Sequence, residues 1–252
     1  RTIIIIMDEA RKRIVKRYIK LPNDSDSDKA AFILDNVYTQ EECEELIKKG
    51  EESGFTQALV TLGPGHEELL LDYKDSLRCF WESVETTADM FERIRPYLPA
   101  EIPPEKPTEK PTENPAGKPS EKPAEKGQQG PCLVGIDKRL QFLKYGPGNY
   151  FKFHYDNVHV RPENGSEKSH LTVHLYLNDG YKGGSTTFLK FENAISDRTD
   201  VMDGDVECKI KTGSLLMFNH DLLHEGSLLH EGTKYTIRGD VMYRDVHKEE
   251  EH

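Results

Sequence analysis

The sequence predicts an α+β protein: a double-stranded β-helix (jelly-roll) core, N-terminal flanking helices and a Pro-rich surface insert. Three observations predict this. From Cys132 onward, short runs of alternating apolar and polar residues are separated by Gly, Pro and Asn turns, a pattern suited to two packed antiparallel sheets. Before residue 100 the apolar spacing turns helical and cap residues appear. Between these stretches the composition breaks from both patterns. The chain divides accordingly into a basic helix and polar linker at 1–30, a helical support region at 31–99, an insert at 100–131, the jelly-roll core at 132–247 and an acidic tail at 248–252.

Taken in order, residues 8–20 (DEARKRIVKRYIK) read as a short basic helix with Ile14, Val15 and Ile19 turned inward. Asn23–Lys29 is a polar break, and Phe32–Val37 is strand-like. Thr39 and Glu42 form a capping box that starts a helix running through Lys49, with Gly54 ending it. Asp75–Leu98 reads as mostly helical, with Trp81, Phe91, Ile94 and Leu98 for its buried face. Pro103–Lys126 repeats a four-residue unit, KPTE, KPTE, NPAG, KPSE, KPAE. Proline at every fourth position forbids a helix and leaves no apolar face, so the insert is expected to be extended and solvated. Pro107, Pro111, Pro115, Pro119 and Pro123 also make it a candidate for docking or modification in cis, beside the plainer reading of a spacer.

In the core, Arg139–Tyr145 alternates into the turn Gly146-Pro147-Gly148-Asn149. Ser169–Asn178 places Leu171, Val173, Leu175 and Leu177 on one face, and Thr172, His174 and Tyr176 on the other. Ser185–Leu189, Val206–Lys211, Ser214–Asn219 and Thr233–Tyr243 complete the strands. The acidic stretch Asp197–Asp205 lacks EF-hand spacing and is expected to be a solvated loop.

The bulk numbers narrow the function classes. The formal net charge of −11 argues against nucleic-acid and membrane-surface partners. No apolar run approaches the ~20 residues of a membrane-spanning helix. Cys43, Cys79, Cys132 and Cys208 are scattered without a CxxC pair, which points to reduced, structural thiols and an intracellular setting.

The chemistry lies in the last hundred residues. His154 and Asp156 are two apart, so on a strand both side chains share a face. A third ligand from a strand across the barrel would complete a two-histidine, one-carboxylate set, which suits Fe(II) and leaves positions open for a co-substrate and oxygen. His220, His224 and His230 compete for that place, because the tripeptide His-Glu-Gly occurs twice. His224 is favoured, since it leaves room for a strand and a turn before Lys234. Lys234, Thr236 and Arg238 alternate onto one face of the last strand. Two cations facing a barrel interior call for an anion, and a dicarboxylic 2-oxo acid supplies one. The competing reading pairs Lys234 or Arg238 with Asp240 or another acid. Arg238-Gly239-Asp240 spells an adhesion tripeptide, but within a strand rather than on a loop tip.

These residues resemble the prolyl 4-hydroxylase-like branch of the Fe(II)/2-oxoglutarate-dependent dioxygenases. The resemblance is carried by Tyr145-Gly146-x-Gly148-x-Tyr150-x-x-x-His154-x-Asp156, Leu175-Tyr176-Leu177-Asn178, Gly183-Gly184-x-Thr186-x-Phe188, and His224-x-Gly226 with Lys234 ten residues after the histidine. It covers residues 139–243, and 32–55 is similar to the helical region that precedes the barrel in such enzymes. It implies iron at His154, Asp156 and His224 and 2-oxoglutarate at Lys234. Tyr145 and Tyr176 would offer hydroxyls to the co-substrate, with Thr172 and Arg238 facing the same pocket. His174 is read as an interior histidine held by a hydrogen bond. The resemblance further implies hydroxylation of an unactivated C–H bond, most simply of a peptidyl proline, with succinate and CO2 as co-products and ascorbate as reductant. The His-Glu-Gly element and the Lys-Tyr-x-x-Arg-x-Asp-Val-Met-Tyr ending are closer to microbial and fungal-type members than to collagen-modifying enzymes, so a protein or peptide substrate follows from branch alone. The rival readings are the same chemistry on a small molecule or nucleic acid, a jelly-roll binding module without turnover, and a zinc hydrolase, which would have no use for Lys234.

Overall fold

The two longest strands, Glu167–Tyr176 and Lys234–Arg244, pair antiparallel from Glu167 opposite Arg244 to Tyr176 opposite Thr236. Both carry β-branched and aromatic residues on both faces, Thr172, Val173 and Tyr176 in one and Tyr235, Thr236, Ile237, Val241 and Tyr243 in the other, which favours a pleated surface buried on two sides. In the computed structural model they form the centre of a nine-stranded antiparallel sheet. The structure describes residues 13–63, 65–102, 130–163, 165–196, 198 and 200–245. The Pro-rich repeats, the first residues of the expected basic helix and the acidic tail lie outside the described residues.

Across the major sheet the order is Val15–Tyr18, Ala31–Asp35, Leu215–Asn219, Glu167–Tyr176, Lys234–Arg244, Arg139–Tyr145, Leu77–Glu82 and Thr56–Gln57, with Cys132–Ile136 also paired to Lys234–Arg244. A five-stranded sheet faces it: Val206–Cys208, Thr186–Phe188, His224–Gly226, Tyr150–His154 and Lys74–Asp75. Two short pairs, Lys182–Gly183 with Leu229–Glu231 and Val60–Gly63 with His66–Glu68, stand apart from both.

Alternation on the central strands divides the interior as the period-two pattern requires. Leu171, Val173, Leu175, Ile237, Val241 and Tyr243 enter one core with Phe32, Leu34, Phe142, Met90 and Ile94. Each such side chain contributes about 1.5–3 kcal/mol by leaving water. The opposite faces of the same strands carry Thr172, His174, Lys234, Arg238 and Asp240 into the space between the sheets. The first core is closed by two helices. Gln40–Ser53 starts at the expected box: the Glu42 N–H donates to Thr39 Oγ1 at 3.2 Å, and the Thr39 N–H to Glu42 Oε2 at 2.8 Å. It stops at Gly54, whose φ of 79° suits glycine.

Four expectations need correction. Residues 15–18 are not helical: Val15–Tyr18 is an edge strand on Ala31–Asp35. Its alternation fits a strand as well as a helix, and the open backbone groups of Ala31–Asp35 decide between them. Asp75–Leu98 is not one helix. Leu77–Glu82 pairs with Arg139–Tyr145, and the helix spans only Val84–Ile94, capped by Ser83 accepting from the Thr86 N–H at 3.2 Å. The run Cys79-Phe80-Trp81 finds more burial on a sheet than a helix end would provide. Region 31–99 thus contributes strands as well as helices. The acidic loop is not simply solvated, because Arg198 reaches back from it to Asp205 Oδ2 at 2.9 Å and Glu225 Oε2 at 2.9 Å, with all three side chains buried. The fourth concerns the metal-site geometry and is given below.

Ala100 and Glu101 lie beside Pro131–Leu133. The Ile102 N–H donates to the Pro131 carbonyl at 3.0 Å, and the Leu133 N–H to that of Ala100 at 2.9 Å. The two ends of the insert therefore leave the fold from adjacent points.

Candidate active site

His154 closes the strand Tyr150–His154, and its register partner is His224, the first residue of His224–Gly226. Here lies the fourth correction. The third histidine comes from the neighbouring strand of the same small sheet rather than from across the barrel. Asp156 lies beyond the strand end, fixed by its N–H donating to the His220 carbonyl at 2.9 Å. His154, Asp156 and His224 nevertheless converge, with one potential ligand atom from each within 4.8 Å of the others. His220 and His230 are not in this group. His220 Nδ1 donates to the Asn157 carbonyl at 2.9 Å, and His230 lies in the strand Leu229–Glu231.

Hydrogen bonds select which atoms face the centre. His154 Nδ1 lies 2.7 Å from the Lys152 carbonyl and His224 Nδ1 2.9 Å from that of Leu222. A carbonyl only accepts, so each Nδ1 carries the proton and each Nε2 keeps its lone pair for a cation. Burial, reinforced by the other histidine, holds the His154 pKa well below its ordinary value, and burial also lowers that of His224. Burial alone would raise the Asp156 carboxyl, but Arg238 and then the histidines outweigh it and keep that group well below the usual carboxylate range. Two neutral imidazoles and a carboxylate at one point are the donor set that Fe(II) accepts in a facial arrangement.

Thr172 and Arg238 belong to this carboxylate. The Thr172 hydroxyl donates to Asp156 Oδ2, and Arg238 Nη2 lies 3.3 Å from the same oxygen. Arg238 also reaches Asp240 Oδ1 at 3.2 Å. Both residues line the same pocket as Lys234, as the resemblance implies, and within it their polar atoms engage Asp156. The adhesion tripeptide is thereby absorbed into the strand, with Arg238 and Asp240 paired inside. His174 Nε2 meets Thr236 Oγ1 at 2.8 Å, in line with an interior histidine held by a hydrogen bond.

Lys234 opens the central strand opposite Tyr145, four residues before Arg238. At ~3.3 Å per residue these two cations are about 13 Å apart along the strand. Lys234 is 2 % exposed, and its ammonium donates to the Gly184 carbonyl at 2.6 Å. It lies 5.2 Å from the Tyr145 ring centre and 5.0 Å from that of Tyr176. No carboxylate among the described residues reaches it. Burial lowers its pKa to about 7. Burial also pushes the Tyr145 hydroxyl up to about 12 and raises that of Tyr176 well above its ordinary value, so both remain proton donors. The Tyr176 hydroxyl bonds to Thr186.

Thr186, Asp240 and Lys74 also line this cavity and the Gly184 carbonyl accepts from Lys234; of these four, sequence reasoning gave a role only to Asp240, as a partner for Lys234 or Arg238. Thr186 and Gly184 lie inside the Gly183-Gly184-x-Thr186 stretch already singled out, which was the available signal. Gly184 has φ 66°, and a Cβ there would fall 2.7 Å from Leu229 Cδ1, so glycine lets the chain bend close beneath Lys234. The cavity holds about 1400 Å³ and opens past Leu62, Phe80, Tyr155, Val158 and Val160, all exposed.

Comparison with known proteins agrees with this geometry. Residues 140–240 match the family model of the 2OG-Fe(II) oxygenase superfamily. No curated protein matches the chain. Among solved structures, a Pseudomonas putida prolyl-4-hydroxylase is similar at 14 % identity and TM-score 0.52, covering 86 % of this chain and 95 % of that one. A Trichoplax adhaerens prolyl hydroxylase, in complex with a hypoxia inducible factor oxygen degradation domain peptide fragment, is similar at 14 % identity and TM-score 0.53, covering 88 % and 86 %. The viral collagen prolyl hydroxylase of Paramecium Bursaria Chlorella virus-1 aligns at 17 % identity and TM-score 0.49, covering 84 % and 94 %. No helix among the described residues is long and apolar enough to cross a membrane. The converging His-Asp-His group and the buried lysine both lie within the stretch that the family model matches, which places a 2OG-Fe(II) oxygenase domain at residues 140–240.

Proposed function

We propose that this protein hydroxylates a peptidyl proline, with 2-oxoglutarate as co-substrate, succinate and CO2 as co-products, and ascorbate as reductant. His154 Nε2, His224 Nε2 and Asp156 Oδ1 would hold Fe(II), which supplies activation of dioxygen for insertion into an unactivated C–H bond. Lys234 would bind the far carboxylate of 2-oxoglutarate as a point charge, with the Tyr145 hydroxyl as a second donor. Tyr176 would act through Thr186, which its hydroxyl already engages. The observation that carries this reading is Lys234: a cation 2 % exposed, without a carboxylate partner among the described residues, in the same cavity as the histidine–aspartate group. A zinc hydrolase or a binding module would leave that charge unexplained.

The chain's own residues would prepare the site. Thr172 and Arg238 orient Asp156, the carbonyls of Lys152 and Leu222 set the imidazole tautomers, and the apolar walls around Phe151 and Phe218 exclude water. Peptidyl proline as substrate is supported by the branch resemblance. The wide cavity also suits an extended substrate, since pockets for small ligands are typically ~300–1,000 Å³.

The deciding experiment measures succinate released by the purified protein with Fe(II), 2-oxoglutarate and ascorbate, with and without proline peptides, beside Asp156→Ala. Turnover stimulated by peptide and lost in Asp156→Ala is the expected result. Absence of both turnover and metal-dependent 2-oxoglutarate binding would overturn it.

A further inference from the structure

Lys74 is a second buried lysine in the cavity, and no role described above accounts for it. It lies on Lys74–Asp75, which pairs with Tyr150–His154 so that Lys74 stands opposite Phe151. The residue is 7 % exposed and lines the same space as His154, Asp156 and His224. Its ammonium lies 4.2 Å over the Phe151 ring, and that ring stacks on His154 with centroids 3.6 Å apart. The cation is thus one aromatic ring away from a candidate metal ligand.

Among the described residues, no oxygen accepts a hydrogen bond from this ammonium and no carboxylate forms an ion pair with it. The acids nearest in effect are Asp156 and Glu67, and both are engaged. Asp156 is held by Thr172 and Arg238. Glu67 accepts from both terminal nitrogens of Arg78, at 3.1 and 2.7 Å. The neighbouring Asp75 accepts from Gln57 Nε2 at 3.1 Å. The remaining charges that act on Lys74, Arg78 and Arg238, repel it. An aromatic face replaces only part of the hydration a buried ammonium loses. Lys234 sits on the major sheet and donates to Gly184, whereas Lys74 sits on the small sheet and lies over Phe151, so the two ammonium groups have different immediate surroundings.

We infer that Lys74 is an anion subsite for the substrate, and that the substrate is an acidic peptide whose carboxylate side chain adjoins the residue to be oxidised. This rests on the oxygenase reading above, with Lys234 reserved for the co-substrate. The exposed apolar residues at the mouth, Tyr155, Val158 and Val160, receive the flanking parts of the chain, and Lys74 selects the acid beside the reacting carbon.

The test uses the full chain and Lys74→Met, which keeps the stem's volume and removes the charge. The first arm needs no substrate. In protein loaded with Zn(II) and 2-oxoglutarate, the Lys74 Cε NMR signal, assigned by its loss in Lys74→Met, is followed during titration with acetate and with chloride at equal ionic strength. Movement with acetate alone supports the subsite; no movement overturns it. The second arm compares turnover of Ac-Ala-Pro-Glu-NH2 with its Gln twin, and of Ac-Glu-Pro-Ala-NH2 with its Gln twin. Wild type should favour one acidic member by roughly 10- to 100-fold in KM, and Lys74→Met should lose that preference. Equal use of both twins by wild type overturns the proposal. Lys74→Met should also bind 2-oxoglutarate as wild type does and melt no lower, because an unpaired buried charge has been removed. A tenfold loss of 2-oxoglutarate affinity would assign Lys74 to the co-substrate, and a lowered Tm would assign it to the fold; either result overturns the subsite. Should acetate move the Lys74 signal while no proline peptide is turned over, the anion subsite stands and peptidyl proline as substrate fails.

Discussion

Arg238 Nη2 lies 3.3 Å from Asp156 Oδ2, joining the last strand of the major sheet to the carboxylate of the candidate metal site. The Thr172 hydroxyl reaches the same oxygen, so Oδ1 is left facing His154 Nε2 at 3.8 Å. Replacing Arg238 by Met frees Asp156 to turn and removes the main charge that keeps it ionised. The expected outcome is metal affinity weaker by about 10–100-fold, measured by titration calorimetry with Mn(II). Thr172→Val should act in the same direction and less strongly. Unchanged affinity in both variants would show that Asp156 needs no support from the major sheet.

The pH dependence of co-substrate binding follows from Lys234. Burial brings its pKa to about 7 in the free protein. A carboxylate beside it favours the ammonium and raises that value, so binding takes up a proton above pH 7. The apparent affinity for 2-oxoglutarate in the Mn(II)-loaded protein should therefore fall as pH rises from 7 to 9, by up to about tenfold per unit. Calorimetry in buffers of different ionisation enthalpy reads the proton uptake directly. Lys234→Met should show weak binding without that slope.

The same group affects stability. Its folded pKa lies below the unfolded value near 10.5, so the unfolded chain binds more protons between about 7 and 10.5. The free protein should gain stability from Lys234 as pH rises through this window, and bound 2-oxoglutarate should flatten the gain. Thermal melts at pH 7 and 9, with and without co-substrate, check the sign.

Arg198, Asp205 and Glu225 form a buried cluster one residue from His224. Arg198→Met would leave two buried carboxylates facing each other, a loss of roughly 3–5 kcal/mol. For a chain of this size that lowers Tm by roughly 6–20 °C. Differential scanning calorimetry on the free protein measures it, and a fall of less than 2 °C would show that the loop relaxes into water.

Gly213 joins the turn at Tyr38 to the central sheet. Its carbonyl accepts from the Val37 and Tyr38 N–H groups, and its own N–H donates to the Tyr176 carbonyl at 2.8 Å. With φ of 76° and the Tyr38 carbonyl oxygen standing where a Cβ would lie, alanine cannot be accommodated without backbone movement. Gly213→Ala should destabilise by about 2–4 kcal/mol in urea unfolding, at an unchanged m-value.

Much of this architecture was legible because local rules and tertiary demands agreed. Thr39 and Glu42 formed the predicted capping box, and Leu171, Val173 and Leu175 took the core face that their spacing assigned. The failures came where a segment was compatible with two periods. Val15–Tyr18 and Leu77–Glu82 went to the sheet because unpaired edges of Ala31–Asp35 and Arg139–Tyr145 were available there, a fact of pairing that no local window contains.

The sequence by itself determined which residues could ligate a metal and which strand would carry Lys234, since spacing fixes face and residue type fixes donor chemistry. Only the tertiary structure decided among His220, His224 and His230, because the choice depends on which one is registered beside His154. It also turned Arg238 and Thr172 towards Asp156, buried Arg198 with two acids, and left Lys74 without a counter-charge among the described residues. Each of these is a relation between charges distant in sequence, and burial determines how strongly it acts.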